Sequence, residues 1–163
     1  MNMRSLMLAA ALAASTLACG TAAAQMLSPD GYGKIHFGDR LDTVERRLGQ
    51  RGAPRPADAA CSIVRFKRYP GVSFMVEQGV ITRADARTVI RNSAGITARM
   101  SARDALRRKP ALRAEPHKYD EHGQYLVLAQ GADKALVFEA SHGKLTRMRG
   151  GLKPAVEYVE SCL

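Results

Sequence analysis

The sequence predicts an α+β fold of two similar units, each a short helical element followed by an antiparallel β-meander, packed into one domain. Short apolar runs alternate with polar residues between glycine-containing turns, a pattern typical of antiparallel strands. Two helix-opening patterns occur along the chain, and each precedes a group of such runs. The length suits one ordinary domain after an N-terminal segment is set aside.

The N-terminal residues, 1–25, have the organisation of a signal peptide. Arg4 supplies a positive start, residues 6–18 are apolar, and residues 22–24 form a small-residue cleavage site before Gln25. A membrane-spanning helix needs about 20 apolar residues, so this run is too short to span a membrane. We therefore expect export to the bacterial periplasm or the extracellular medium.

Cys19 provides an alternative for the same segment. Residues 16–20 resemble a bacterial lipoprotein box, in which the cysteine is lipidated and becomes the first residue of the mature chain. Thr16 departs from that pattern, since such boxes favour a branched aliphatic residue there. Lipidation would anchor the domain to the outer membrane, whereas cleavage after Ala24 would discard Cys19.

Cys61 and Cys162 are the cysteines left after removal of the signal peptide. In an oxidising compartment an isolated pair indicates one disulfide. Closing a loop of about 100 residues stabilises a fold by roughly 4–5 kcal/mol. Neither cysteine lies in a CxxC or CxH cluster, which argues against a role as a metal ligand.

The chain is strongly basic, with 25 Lys and Arg against 15 Asp and Glu. Arg4 is the one charged side chain within the signal peptide, so the formal charge falls from +10 to +9 on cleavage. This balance favours an acidic protein or an anionic envelope component as partner. Export and the scarcity of aromatic residues argue against nucleic acid. A basic surface that serves solubility alone is the alternative.

The first unit covers residues 26–97. It begins with a predicted loop over 26–33, and Asp42 with Glu45 forms a capping-box pattern that predicts a helix over 42–49. Predicted strands follow at 62–68, 72–76 and 80–83.

The second unit covers residues 98–163 and repeats the pattern. Ser101 and Asp104 occupy the capping-box positions of a helix that Pro110 ends. Predicted strands follow at about 112–119, 124–130, 135–141 and 144–150. At an offset of 64 residues, Phe74, Gly79, Thr82 and Arg83 align with Phe138, Gly143, Thr146 and Arg147. These identities favour an internal duplication.

The helix-opening signals at 38–42 and 97–101, each followed by a meander, resemble the tandem units of β-lactamase-inhibitor proteins. They also resemble the single unit of outer-membrane assembly lipoproteins of the SmpA/OmlA type. The resemblance covers roughly residues 33–150 and implies a binding or inhibitory module, or an envelope-assembly role. No contact motif of either family matches residue by residue, so no functional residue is carried over.

The sequence contains no hydrolase, phosphate-loop or zinc-protease motif. His117, Asp120 and His122 have donor atoms for a divalent metal, but they lie at a predicted hairpin tip, where polar residues form turns. His36 and His142 have no visible partner. We therefore expect no metal, no cofactor and no enzymatic activity; a hydrolase would need the 117–122 loop to lie in a cleft.

The predicted binding residues are arginines and tyrosines. Alternation places Arg83 on one strand and Arg147 and Arg149 on another along one face of the sheet, and we expect this face to look outward and bind a partner. Tyr119 and Tyr125 are expected to add contact area. In the alternative, the arginines pair with Glu77, Asp85 or Glu139 across the strands.

Overall fold

The structure is a computed structural model that describes residues 25–162. The predicted signal peptide, apart from Gln25, and the candidate lipidation residue Cys19 lie outside the described residues. The fold is α+β with antiparallel sheets and two α-helices, as the sequence predicts.

Residues 25–162 form ten strands, two α-helices and one short 3₁₀ helix. They are β1 (Leu27–Ser28), β2 (Gly31–Tyr32), β3 (Ile35–His36), α1 (Leu41–Leu48), β4 (Ser62–Val64), β5 (Val72–Glu77), β6 (Val80–Arg87), α2 (Ala102–Arg108), β7 (Arg113–Pro116), β8 (Gly123–Gln130), β9 (Lys134–Ser141), β10 (Lys144–Leu152) and the 3₁₀ helix (Ala155–Glu157).

Seven strands form the main sheet in the order β4-β5-β6-β10-β9-β8-β7, and every neighbouring pair is antiparallel. The last strand of the first meander, β6, therefore lies beside the last strand of the second, β10. Their register places Arg147 opposite Arg87 and Arg149 opposite Asp85. The two meanders meet at the centre of one continuous sheet.

The β5–β6 and β9–β10 hairpins have the same local geometry. Each turns through two residues with positive φ, Gln78-Gly79 (51° and 78°) and His142-Gly143 (47° and 75°). Two-residue turns of this kind match the twist of the flanking strands. Each closing strand also carries one extra residue, Thr82 in β6 and Thr146 in β10, at a break in register.

The predicted loop over 26–33 is wrong, because β1, β2 and β3 form a small three-stranded antiparallel sheet. Leu27, Tyr32 and Ile35 from these strands are buried in the main core. Strands of two residues are too short to show the alternation by which strands are recognised in a sequence.

The capping-box prediction is wrong for α1 and confirmed for α2. The N-cap of α1 is Arg40, which makes no side-chain cap, and Asp42 instead lies inside the first turn. At α2, Ser101 accepts a hydrogen bond from the Asp104 amide, and the Asp104 carboxylate accepts one from the Ser101 amide.

One face of the main sheet packs against α1, α2 and the small sheet. The helices contribute their buried apolar residues Leu41, Val44, Leu48, Ala102 and Ala105. They meet the alternate residues of the central strands, including Ala84, Leu136, Phe138 and Met148. The opposite face of the sheet is therefore the one available for a binding site.

A disulfide joins Cys61 to Cys162, as predicted, with the two Cα atoms 5.4 Å apart. It ties the end of the chain to the segment just before β4. Among residues 25–162, no helix combines the length and apolar character needed to cross a membrane.

Candidate functional site

The face of the sheet opposite the helices carries a line of charged residues. Alternation along β6 places Arg83, Asp85 and Arg87 on this face, and alternation along β10 adds Arg147 and Arg149. The phase predicted for the arginines agrees with this arrangement. The predicted exposure of these arginines is not observed for all of them, because residues 153–162, here called the C-terminal strap, cross part of the same face.

Arg83 is not the outward-facing residue that the sequence predicts; it is only 3% exposed. Its Nη1 donates to the carbonyl oxygens of Tyr158 (2.8 Å), Ala155 (3.1 Å) and Glu160 (3.4 Å). Its Nε donates to Asp85 at 2.8 Å. The strap and one carboxylate thus engage all three guanidinium nitrogens, so Arg83 holds the strap in place.

Arg149 is also buried, at 5% exposure, which corrects the prediction for a second residue. Its Nε donates to the Val156 carbonyl at 2.7 Å, and its guanidinium carbon lies 5.0 Å from the centre of the Tyr125 ring. The nearest carboxylate, Glu139, is 3.7 Å from Nη1. Burial lowers the pKa of Arg149, and the neighbouring Arg83 lowers it further.

Arg147 is exposed, as predicted. It faces Arg87 across the β6–β10 pair, and Arg87 is exposed as well. A third exposed arginine, Arg65, lies just beyond β4 and lines the same surface. Across residues 25–162 none of these three guanidinium groups forms an ion pair or a side-chain hydrogen bond. The alternative of cross-strand pairing therefore holds for Arg149, with Glu139, and not for Arg147, whereas Arg83 pairs with Asp85 on its own strand.

Together these residues line a groove, here called the arginine groove, of about 650 Å³. The arginines are Arg65, Arg83, Arg87, Arg147 and Arg149, and the acidic residues are Asp85 and Glu139. Five guanidinium groups against two carboxylates give the lining a formal charge of +3. A second hollow of about 560 Å³ shares part of this lining and continues the groove to the disulfide.

The two predicted contact tyrosines lie in different environments. Tyr119 is 65% exposed, and its hydroxyl donates to the Glu160 carboxylate. That hydrogen bond lowers the pKa of Glu160. Tyr125 is 7% exposed and stacks on the His117 ring at 4.5 Å, so it is not a surface contact residue. It instead supports Arg149 from below.

The residues of the 117–122 loop use their polar atoms within the fold. His117 contacts Glu139 through Nε2 at 3.3 Å, and its Nδ1 accepts the amides of Tyr119 and Asp120. Asp120 accepts a hydrogen bond from Ser141 at 2.6 Å, which lowers the Asp120 pKa. The described part of the chain contains no group of three His, Cys, Asp or Glu side chains placed to hold a metal.

The remaining histidines do not line the arginine groove. His142 lies with its ring 5.1 Å from that of His122, at the hairpin tips, and His36 is exposed in β3. None of residues 117–122 lines the arginine groove, so the 117–122 loop does not lie in that cleft.

Sequence reasoning missed Arg65 and Arg87 as members of the site. Arg87 continues the every-second-residue spacing of Arg83 and Asp85, and Arg65 shares the phase of Ile63. This every-second-residue spacing identifies the face of the sheet on which Arg65 and Arg87 lie. Only the register between β6 and β10, which brings strands from the two halves together, shows that Arg87 lies opposite Arg147.

Comparison of the chain with known protein families, curated proteins and solved structures found no match in any of them. The resemblance to β-lactamase-inhibitor and SmpA/OmlA-type proteins thus stays a prediction from the sequence.

Proposed function

We propose that this protein is an exported, non-enzymatic binding or inhibitory module that recognises an acidic protein through the arginine groove. The observation that carries the proposal is the group of three exposed arginines in the groove, Arg65, Arg87 and Arg147, which have no ion-pair partner among residues 25–162. The disulfide supports the exported location, because such bonds persist in oxidising compartments.

The placement of Arg87 opposite Arg147 supports the same proposal on energetic grounds. Like charges directly across an antiparallel pair destabilise a sheet. Carboxylates of an acidic partner would remove this repulsion and accept the bidentate hydrogen bonds for which guanidinium groups are suited. A groove with a formal charge of +3 would also speed encounter with an acidic surface at low salt.

We also propose that the fold consists of two related units, residues 26–97 and 98–163, that arose by duplication. Support comes from the equivalent turns at Gln78-Gly79 and His142-Gly143 and from the extra residues Thr82 and Thr146, all at an offset of 64. The groove then lies where the last strands of the two units meet.

The test is a quantitative pull-down from a periplasmic or culture-fluid extract with three forms of the protein. They are the wild type, the groove variant Arg87→Ser/Arg147→Ser, and the control Arg99→Ser/Arg103→Ser, which removes two exposed charges at and before α2. We expect an acidic protein that the wild type and the control enrich and the groove variant does not. The same enriched proteins with all three forms would overturn the proposal.

A further inference from the structure

The guanidinium of Arg149 is held rigidly but uses few of its donors. Nε is bonded to Val156, the ring of Tyr125 lies beneath the group, and Glu139 makes only a 3.7 Å contact with Nη1. Within the described chain, neither terminal nitrogen has a hydrogen-bond partner. Buried polar groups are normally hydrogen-bonded, so unused donors on a buried guanidinium call for an explanation.

Arg149 differs in this respect from Arg83, its buried neighbour. Arg83 donates to three strap carbonyls and to Asp85, and these bonds engage all three of its guanidinium nitrogens. Arg149 lines the arginine groove, and its terminal nitrogens are not among the fully enclosed, unpaired polar atoms. These nitrogens therefore keep some exposed surface, on a residue that lines the groove.

Two exposed arginines lie within reach of the same point. Arg147 is two residues from Arg149 on the same face of β10, a separation of about 7 Å along a strand. Arg87 lies opposite Arg147, with their Cα atoms about 5 Å apart in an antiparallel pair. Long arginine side chains at these positions can converge on a single small anion beside Arg149.

We infer that Arg149, Arg147 and Arg87 form a subsite for one oxyanion group, a carboxylate of the acidic partner, with Arg149 as its fixed bidentate anchor. This inference rests on the proposed function and deepens it, because it names the group that the groove binds. A carboxylate accepts two parallel hydrogen bonds from one guanidinium. Arg149 is already oriented by Tyr125 and Val156, so binding would cost little side-chain entropy.

The partial burial of Arg149 favours such a ligand. Burial lowers the pKa of Arg149 because its charge is poorly solvated. A bound anion would replace the missing solvation, and charge-assisted hydrogen bonds of this kind are among the stronger ones in proteins. Phosphate also accepts two parallel hydrogen bonds from one guanidinium, so the test must separate a carboxylate from a phosphate.

The experiment is an NMR titration of the full mature protein with ¹⁵N-labelled arginine. The probes are N-acetyl-tetraglutamate amide, inorganic phosphate and sodium chloride, each at constant ionic strength. We expect the Arg149 Nε–Hε signal to shift saturably with tetraglutamate and not with chloride. Arg149→Lys keeps the charge but loses the guanidinium fork, and it should weaken tetraglutamate binding by about tenfold or more.

Arg87→Ser/Arg147→Ser is the second variant, in case Arg149→Lys does not fold. Both residues are exposed, so we expect a native circular dichroism spectrum and tetraglutamate binding weakened by about tenfold. The control Arg99→Ser/Arg103→Ser should bind as the wild type does. An Arg149 signal that does not saturate, or equal loss of binding in the control, would overturn the inference.

The outcomes separate this inference from the proposed function. Saturable phosphate binding without tetraglutamate binding would overturn the carboxylate assignment. A partner captured through the groove while the Arg149 signal stays unmoved would leave the proposed function intact and overturn the subsite. Saturable tetraglutamate binding without any captured acidic protein would support the subsite and count against the proposed function.

Discussion

At the scale of single residues, α1 and α2 differ in whether an aspartate near the start of the helix takes part in a capping box. Asp104 accepts hydrogen bonds from the Ser101 hydroxyl and amide, and the hydroxyl bond is the main reason that the Asp104 pKa is lowered. Asp42 occupies a similar place in the sequence but lies within the first turn of its helix, where it accepts the Thr43 amide and is not the N-cap. A capping pattern shows where a helix begins only to within a few residues.

Ser101→Ala should lower the free energy of unfolding by about 1 kcal/mol, because α2 loses its N-cap. Asp42→Ala should change it by less than about 0.5 kcal/mol, as is usual for an exposed surface substitution. Urea denaturation monitored by circular dichroism measures both. Equal effects of the two substitutions would contradict the assigned capping residues.

The lowered pKa of Asp104 also predicts a pH dependence. Its contribution to stability is fully present above the ordinary carboxyl pKa of about 3.9 and is lost as the pH falls through the lower pKa of the folded state. Asp104→Asn should remove this contribution at neutral pH and flatten the acid side of the stability curve. The measurement is urea denaturation of both forms between pH 7 and pH 2.

At the scale of elements, the contact between β1 and β10 depends on a glycine. A Cβ on Gly150 would lie 2.6 Å from the Ser28 carbonyl oxygen and 3.2 Å from the Leu27 side chain. The absence of a side chain therefore lets the small sheet pack across the centre of the main sheet. Both partners of this contact are backbone or buried groups, which have little freedom to move aside.

Gly150→Ala should destabilise the protein by about 1–3 kcal/mol, the usual cost of overpacking. Hydrogen exchange should show the largest loss of protection in residues 27–36, since the small sheet must move to admit the methyl group. Unchanged protection there would contradict the close packing of β1 on β10.

Strands of three or more residues could be located from the sequence, and the two-residue strands β1, β2 and β3 could not. The alternation in β5, β6, β8, β9 and β10 is long enough to reveal strands and their faces. The site was predicted only in part. The alternation of residues along β6 and β10 places Arg83 and Arg149 on the correct face of the sheet, but it does not show that the strap covers this face. Their burial depends on the strap, whose 3₁₀ helix and extended run carry no periodic pattern.

At the scale of the whole molecule, the disulfide holds the strap against the sheet. Cys162 is bonded to Cys61 across a separation of 101 residues, and the strap carbonyls between Ala155 and Glu160 bind Arg83. The covalent bond and the buried guanidinium thus secure the same segment.

Cys61→Ser/Cys162→Ser should lower the free energy of unfolding by about 4–5 kcal/mol, from the loop that the disulfide closes. The freed strap should also raise the exchange rate of the Arg83 guanidinium protons. Denaturation with and without a phosphine reductant, together with arginine NMR, measures both effects. A reduced protein as stable as the oxidised one would contradict this role.

The first residue of the mature chain shows whether the protein is free or anchored to a membrane by a lipid. Cleavage at the predicted signal-peptide site gives a chain that begins at Gln25, whereas lipidation gives diacylglyceryl-Cys19. We expect the first form, and intact-mass spectrometry of protein recovered from the producing cells distinguishes the two.

The meeting of β6 and β10 at the centre of the sheet has a consequence for the order of folding. The first meander cannot complete its hydrogen bonding until β10 is present, and Cys61 cannot form its disulfide until Cys162 is present. Contacts so distant in sequence form slowly. A nascent chain crossing a membrane N-terminus first would therefore emerge through β10 before its main sheet could close, and through Cys162 before its disulfide could form.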